Sequence, residues 1–108
     1  MTGCCQVTTT LPDQAAAERV AATLVEERLA ACVQVFGPVS STYWWQGSVE
    51  RSIEWYCQAK TTVARLPQLL ARIQELHPYQ VPEIIAVPIL QGSSEYLKWI
   101  EKTVSGKR

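Results

Sequence analysis

The sequence predicts a single α+β domain with the ferredoxin-like split βαβ arrangement, in which helices cover an antiparallel sheet. Strand-like and helix-like segments follow one another in the order βα-ββ-αβ, with one further helix at the end. One alternation of apolar and polar residues, from Val49 to Thr61, is unusually long for a strand. The chain has 108 residues, of which 47% are hydrophobic, and this suffices for one core.

The first third of the chain predicts a strand, a helix and a second strand. Cys4 to Thr9 has strand character, and Pro12-Asp13 opens a helix that we expect Thr10 to cap. The second strand is predicted from Ala31 to Phe36, with an end at Gly37-Pro38. The apolar stripe of the helix follows helical spacing and consists of Ala17, Val20, Ala21 and Leu24.

The middle of the chain predicts a β-hairpin with a tight turn at Gln46-Gly47. The second arm alternates strictly, which is typical of a strand with two different faces. Polar residues such as Glu54 fall on one face of this arm. The apolar face consists of Val49, Ile53, Trp55, Cys57 and Ala59.

This hairpin is too long for its own domain. The 13 residues from Val49 to Thr61 span roughly 43 Å as a strand, whereas a globule of this size is about 33 Å across. Projecting aromatic residues and open strand edges favour capture by a neighbouring subunit. The alternative is a strand that bends at a bulge and packs on its own domain. The predicted interface residues are Tyr43, Trp44, Trp45 and Trp55.

The last third predicts a helix, a short strand and a final helix. The first of these helices begins near Leu66-Pro67 and ends at His77, because Pro78 follows. A short strand is predicted from Ile84 to Leu90, and Pro88 places it at an edge or near a strand end. Ser105 to Arg108 is predicted as a frayed tail. The final helix begins around Gly92, and its inward residues are predicted to be Tyr96, Leu97 and Ile100.

The segment from His77 to Glu83 is the strongest candidate for a functional site. It combines the single histidine of the chain, a tyrosine, a carboxylate and two prolines. The prolines fix φ at two points, so the imidazole and the Glu83 carboxylate can be held in a set geometry. Such a pair can bind a metal ion or handle a proton. Two structural alternatives stay open. The segment can be a rigid connector whose polar groups satisfy one another, or a protonated His77 can interact with the helix dipole.

Weaker candidates lie elsewhere. Lys60 and Thr61, with Tyr79, can line an anion-binding cleft near a helix N-terminus, although strand-end chemistry and a helix cap explain Lys60 and Thr61 equally well. No Cys-x-x-Cys spacing occurs, and the four cysteines are predicted to be reduced, buried small hydrophobes. The chain lacks a nucleophile elbow, a phosphate-binding glycine loop and an acid pair at a telling spacing, so we expect no enzyme. The cysteines are Cys4, Cys5, Cys32 and Cys57.

Composition excludes several partners. Ten basic and ten acidic residues give a formal net charge of zero, which argues against nucleic acid and an anionic membrane surface. No stretch is long and apolar enough to span a bilayer. The N-terminal residues lack the basic and apolar regions of a signal peptide, so a cytoplasmic location is predicted.

Six segments match the pattern of a known family in the same order: Pro12-Asp13, Glu26 to Val33, Tyr43 to Gly47, Lys60 to Thr62, His77 to Glu83 and Tyr96 to Trp99. Together they make the chain similar to the CutA family, the divalent-cation-tolerance proteins. The resemblance implies a ferredoxin-like subunit in a tight homotrimer and a role in metal tolerance, with copper the ion most often named. His77 and Glu83 match the metal-facing positions of the family, and no organic cofactor is implied.

One departure from the family pattern concerns metal binding. Family members often carry a cysteine just before the Pro-Asp pair, where this chain has Thr9, so a copper site that uses this thiolate would be weakened or absent.

The sequence leaves three hypotheses for the function. In the first, the protein is a trimer that weakly binds copper or a similar divalent cation. In the second, it is a PII-like signalling or adaptor trimer that binds a small anion or nucleotide between subunits near Lys60. In the third, it is a structural trimer whose effects on metal tolerance are indirect.

Overall fold

The computed structural model describes residues 2–106 and has the predicted α+β, ferredoxin-like architecture. Four antiparallel strands form one sheet in the order β2-β3-β1-β4, so that β2 and β4 are its edges. The predicted edge position of the short last strand is therefore confirmed. The elements are β1 (Cys4–Leu11), α1 (Gln14–Glu26), β2 (Cys32–Trp45), β3 (Ser48–Thr62), α2 (Leu66–Leu76), β4 (Ile84–Pro88) and α3 (Ser94–Ser105).

Helices cover the two faces of the sheet unequally. The first two helices pack on one face, here called the helix face, and the predicted stripe of α1 is buried there. The last helix covers one end of the opposite face, here called the open face, where Ile100 and Val104 pack against Cys4 and Ala31. Because β1 residues alternate between faces, Cys4 belongs to this second cluster while Val7 belongs to the main core.

The start of α1 differs from the prediction. Asp13, not Thr10, is the N-cap, because its Oδ1 accepts a hydrogen bond of 2.8 Å from the backbone N–H of Ala16. Thr10 stays in the strand, where it pairs with Tyr56. The helix therefore begins at Gln14, three residues later than a cap at Thr10 would place its start.

The second strand also runs further than predicted. Gly37-Pro38 does not end β2, since the strand continues to Trp45 through a shift of register between Phe36 and Val39. The ring of Trp55 lies against Gly37 so closely that a Cβ at this position would be 2.7 Å from Cδ2 of the indole. The bulge predicted as an alternative thus exists, but it lies in β2 and leaves the hairpin projecting.

The projecting part of the hairpin, residues 39–54, extends beyond the rest of the sheet. The first strand ends at Leu11, which pairs with Trp55, so the part of β3 before Trp55 pairs with β2 alone. Gln46 and Gly47 both have positive φ (49° and 86°), as a two-residue hairpin turn requires. The molecule measures 44 × 27 × 22 Å, and the predicted projection is confirmed.

The last helix begins with a Ser93 cap, whose Oγ accepts from the N–H of Tyr96. Tyr96 was predicted to face inward, but it is 41% exposed, because Ile100 and Val104 form the buried stripe. The helix continues to Ser105, where the predicted tail begins. Arg65 donates from Nε to the carbonyl of Val104 and from Nη2 to that of Gly106 (2.7 and 3.0 Å). Lys107 and Arg108 lie outside the described residues.

Thr9 carries a buried hydroxyl on the helix face of β1. It is 1% exposed, and Oγ1 has no hydrogen-bond partner among the residues that the structure describes. Replacing Thr9 with valine is expected to raise the free energy of unfolding by about 1 kcal/mol, because an unpaired buried hydroxyl is removed and the β-branched shape is kept. Urea unfolding at matched protein concentration measures this.

The control for this prediction is Thr9→Ser, which keeps the hydroxyl and deletes a buried methyl group. It is expected to lower the free energy of unfolding by about 1 kcal/mol. If the valine variant is less stable than the wild type, the Thr9 hydroxyl makes a hydrogen bond that stabilises the folded protein, and the prediction is wrong.

Candidate functional site

The segment between α2 and β4, residues 77–83, is called the connector. It begins at His77, whose extended backbone (φ −79°, ψ 132°) ends the helix as the following proline requires. The residue is 9% exposed, so its imidazole lies within the protein rather than at the surface. The connector therefore presents its histidine to the end of β1, not to solvent.

Both ring nitrogens of His77 are engaged. Nε2 lies 2.8 Å from the carbonyl oxygen of Thr10, and a carbonyl can only accept, so Nε2 carries the proton. Nδ1 accepts a hydrogen bond of 3.2 Å from the backbone N–H of Tyr79. Burial lowers the pKa of His77, in keeping with a neutral ring. These bonds favour the connector interpretation over a protonated histidine at the helix dipole.

Tyr79 reaches from the connector to the base of the projecting hairpin. Its hydroxyl donates a hydrogen bond of 2.8 Å to Oε2 of Glu54, a carboxylate that is only 7% exposed. Burial and, after it, the bond to this carboxylate raise the pKa of Tyr79 far above its usual range. The phenol therefore stays protonated at neutral pH and acts as a hydrogen-bond donor.

The position of Glu54 explains why this carboxylate is buried. It is the first residue of β3 beyond the last pair with β1, Trp55 with Leu11. There the sheet has lost its third strand, and the hydroxyl of Tyr79 donates to the carboxylate instead. The ring of Tyr79 lies 4.8 Å from the ring of His77 between centroids. The end of β1, the connector and the base of the hairpin, which are far apart in sequence, thus meet at the corner between sheet and hairpin.

Glu83, the carboxylate predicted to act together with His77, makes no hydrogen bond to it in the structure. Glu83 is exposed, and within residues 2–106 it makes no hydrogen bond or ion pair. The carboxylate that does bond to the connector is that of Glu54, through Tyr79. From the sequence, Glu54 is predicted only to lie on the polar face of a strand. The signal for this contact is the strand register: β1 ends at Leu11, before Pro12, and Glu54 is the residue of β3 just before Trp55, the partner of Leu11.

The predicted anion cleft is not assembled within one chain. The ammonium of Lys60 donates to Oε1 of Gln34, on the open face. Thr61 is fully buried and donates to the carbonyl of Leu29 at 2.7 Å, so its hydroxyl is already used. Lys60 and Glu54 are six positions apart on β3, roughly 20 Å, which keeps Lys60 away from Tyr79.

Metal-binding groups are sparse in a single chain. Residues 2–106 contain no cluster of three or more His, Cys, Asp or Glu side chains that could hold a metal ion. All four cysteines are free thiols, and Cys4, Cys5 and Cys57 are buried as predicted. Cys32 is half-exposed, with Sγ 3.4 Å from the Tyr96 hydroxyl oxygen. A cation held at the connector would need ligands from water or a second subunit.

Large apolar side chains are exposed along the projecting hairpin. Trp44 is 75% exposed, and it pairs across the ribbon with Val49, while Ile53 lies further along the same face. Tyr43 and Trp45 are also exposed, as predicted for an interface. Trp55 differs, because it packs against the main core and Gly37 of its own chain.

The open face of the sheet adds to this apolar surface. Phe36 stacks on Tyr56 with ring centroids 5.1 Å apart, and Ile85 and Val87 of the edge strand are about half exposed. Exposed apolar side chains in this number are typical of surfaces that another molecule covers. The fold and its surface define a class of protein: a ferredoxin-like α+β domain with a projecting, partly apolar β-hairpin.

Comparison with known proteins identifies the family. Residues 5–103 match the CutA1 family, described as the CutA1 divalent ion tolerance protein. The chain belongs to this family. A relative from Thermus thermophilus, the divalent-cation tolerance protein CutA, is 46% identical over 93 residues, which cover 86% of this chain and 90% of the relative.

Solved structures agree with this assignment. The crystal structure of CutA from Xylella fastidiosa superposes with a TM-score of 0.92 at 39% identity, covering 94% of this chain and 98% of that one. The structure described as the periplasmic divalent cation tolerance protein CutA from Archaeoglobus fulgidus gives a TM-score of 0.90 at 37% identity, with the same coverage. In residues 2–106 no helix combines the length and hydropathy needed to cross a membrane.

The buried neutral histidine predicts a pH dependence of stability. Because burial lowers the pKa of folded His77 below its ordinary value of 6.5, the unfolded chain takes up a proton first as the pH falls. The contribution of His77 is therefore complete above pH 6.5 and is lost in acid, by at most about 1.4 kcal/mol per pH unit. Urea unfolding between pH 7.5 and 5.5 tests this.

The matched control is His77→Gln, whose amide can donate to Thr10 and accept from Tyr79 without titrating in this range. The stability advantage of the wild type over this variant should shrink in acid. Parallel stability curves for the two proteins would show that His77 has the same pKa in the folded and unfolded states.

Proposed function

We propose that the protein works as a homotrimer in tolerance to divalent cations. The main observation in favour of a trimer is the exposed apolar face of the projecting hairpin. On this face Trp44, Val49 and Ile53 are each more than half exposed. A ribbon of two strands with such a face is marginal in water unless another surface covers it. The family match supports the role in cation tolerance.

Assembly through the hairpin is also supported by its edges. The part of β3 before Trp55 lacks β1 as a neighbour and β2 is an edge strand, so both edges of the projecting ribbon present unpaired backbone groups. A sister subunit that lies along the ribbon satisfies these groups and buries the aromatic residues together. The zero net charge of the chain imposes no electrostatic penalty on such an assembly.

We further propose that the trimer weakly binds copper or another divalent cation at His77 and Glu83. The support is the family match and the carboxylate of Glu83, which is exposed close to the histidine in sequence. The remaining ligands would come from water or a sister subunit. Thr9 supplies no thiolate, so the donors are imidazole and oxygen, which suit Cu(II) better than Cu(I).

The proposal places the protein in the cytoplasm and assigns it no catalytic step. Four free thiols suit a reducing compartment, although the Archaeoglobus fulgidus relative is described as periplasmic. The PII-like alternative, with an anion or nucleotide near Lys60, requires that ammonium to leave Gln34. A structural trimer with indirect metal effects is the third possibility, and the experiments below separate the three.

Assembly is tested by adding a charge to the hairpin. We expect sedimentation at micromolar concentration to give a mass near three times the 12.1 kDa chain for the wild type. Ile53→Glu should weaken association by at least about tenfold, because a carboxylate replaces an apolar group in the interface. Gln74→Glu, on an exposed position of α2, adds the same charge elsewhere and should leave the trimer intact. A 12 kDa wild-type species would contradict the proposal.

Cation binding is tested by calorimetry with Cu²⁺. Replacing His77 or Glu83 with alanine should weaken binding by at least about tenfold, since even the loss of an outer-shell partner costs that much. Glu26→Gln removes an exposed carboxylate from α1 and serves as the control. Equal affinities for all four proteins would remove both residues from the site. Thermal stabilisation by a nucleotide but not by metals would favour the PII-like alternative.

A further inference from the structure

Glu54 is the only buried residue of the projecting hairpin, residues 39–54. It is 7% exposed, whereas the preceding residue, Ile53, is 57% exposed. A carboxylate removed from water is costly unless a hydrogen-bond donor or a cation pairs with it. The base of the hairpin therefore needs a polar partner for this group.

Tyr79 of the connector is that partner. Its hydroxyl donates a hydrogen bond of 2.8 Å to Oε2 of Glu54. No other side-chain hydrogen bond or ion pair joins residues 39–54 to the rest of residues 2–106, because those made by Tyr43 and Ser48 stay within the hairpin. The polar contact between connector and hairpin is thus one hydrogen bond to a charged group, a class of bond that is stronger than its neutral counterpart.

The connector holds Tyr79 in a fixed place. Pro78 restricts the backbone just before it, and the N–H of Tyr79 donates to Nδ1 of His77 at 3.2 Å. Nε2 of the same imidazole donates to the carbonyl of Thr10 at 2.8 Å, so the tyrosine is tied to the end of β1. The donor that reaches Glu54 is therefore anchored to the sheet and not to the hairpin.

The opposite side of β3 is held by a separate contact. Side chains of successive strand residues point to opposite faces, and Trp55 packs against the main core while Glu54 bonds to Tyr79. The first strand ends at the pair of Leu11 with Trp55, so no third strand restrains β3 before this point. Without the Tyr79 hydroxyl, the base of the hairpin would keep its contact with the core on one side only.

We propose that Tyr79 is a positioning residue for assembly. Its bond to Glu54 holds the projecting hairpin in the conformation in which the hairpin, as an arm, binds a second copy of this chain. A ribbon of two strands is marginal on its own, and a loose ribbon must be ordered when subunits meet, which lowers affinity. The inference rests on the proposed homotrimer, and it gives the connector a role that requires no bound ligand.

Hydrogen exchange tests whether the bond restrains the hairpin. Tyr79→Phe should speed amide exchange in residues 39–54 about tenfold relative to β1, because one hydrogen bond to a charged group is lost while the core is kept. Tyr56→Phe is the matched control, since its hydroxyl makes no hydrogen bond in residues 2–106. Val104→Ala removes buried methyl groups from the second cluster, at the other end of the sheet, and should not speed hairpin exchange relative to β1.

Sedimentation tests whether the restraint matters for assembly. All variants are compared at one urea concentration at which wild-type monomer and trimer coexist. Tyr79→Phe should raise the protein concentration at which half of the chains are assembled by at least about tenfold, because every subunit loses the same bond. Tyr56→Phe should leave this concentration unchanged.

A double variant tests whether Tyr79 acts through Glu54. Glu54→Met replaces the carboxylate with an apolar side chain of similar length, so Tyr79→Phe combined with Glu54→Met leaves no buried charge without a donor. Exchange and assembly should return to within about threefold of the wild type, since replacing both partners of a buried bond is nearly neutral. Glu54→Gln keeps an acceptor for Tyr79 and should stay close to the wild type.

Two results would overturn the inference while the homotrimer survives. One is a trimer in which Tyr79→Phe and Tyr56→Phe have the same hairpin exchange and the same concentration of half-assembly. The other is an effect of Tyr79→Phe that is equally large in the presence of Glu54→Met, because Tyr79 would then not act through the carboxylate. A wild-type mass near 12.1 kDa at micromolar concentration would overturn the homotrimer and the inference together.

Discussion

The difference in length between β1 and β3 is the constraint on which the rest of the structure depends. The first strand must stop at Leu11, because Pro12 and the Asp13 cap begin α1, whereas β3 begins seven residues before its first pair with β1. Those seven residues lose one neighbouring strand. They keep β2 as their partner, and a ribbon of two strands results, with apolar side chains that no element of the same chain covers.

The connector compensates for this loss at the corner where it begins. A segment stiffened by two prolines brings a tyrosine to the buried carboxylate that lies just beyond the end of β1. The histidine that starts the segment is fixed in one tautomer by the end of β1 itself. Strand end, connector and hairpin base therefore form one hydrogen-bonded unit, and the candidate site of this protein lies inside it rather than on an open surface.

Local patterns were sufficient to predict the order of elements, the turn at Gln46-Gly47 and the projection of the hairpin. These features depend on periodicity, on backbone conformations that few residues adopt, and on chain length. The cap of α1 was assigned wrongly because both Thr10 and Asp13 have capping side chains, and strand pairing decided between them. The end of β2 was wrong because a bulge can carry a strand through a glycine and a proline.

The site was harder to predict than the fold. Proximity in sequence suggested His77 with Glu83, whereas the closest hydrogen-bonded acid, Glu54, comes from an element 25 residues away from Tyr79. Contacts of this kind depend on register and on where a neighbouring strand stops, and neither is visible in a single segment. Trp55 is predicted as an interface residue together with three other aromatic residues, and within one chain its side chain also packs against the main core.

The contact between Trp55 and Gly37 has a consequence for how this family can vary. The indole occupies the space that any β-carbon at position 37 would need. Position 37 lies in the bulge where the arm leaves the sheet, so a larger residue there would tilt the arm unless position 55 became smaller at the same time. The two positions should therefore change together among relatives, as a matched pair that sets the angle of the arm.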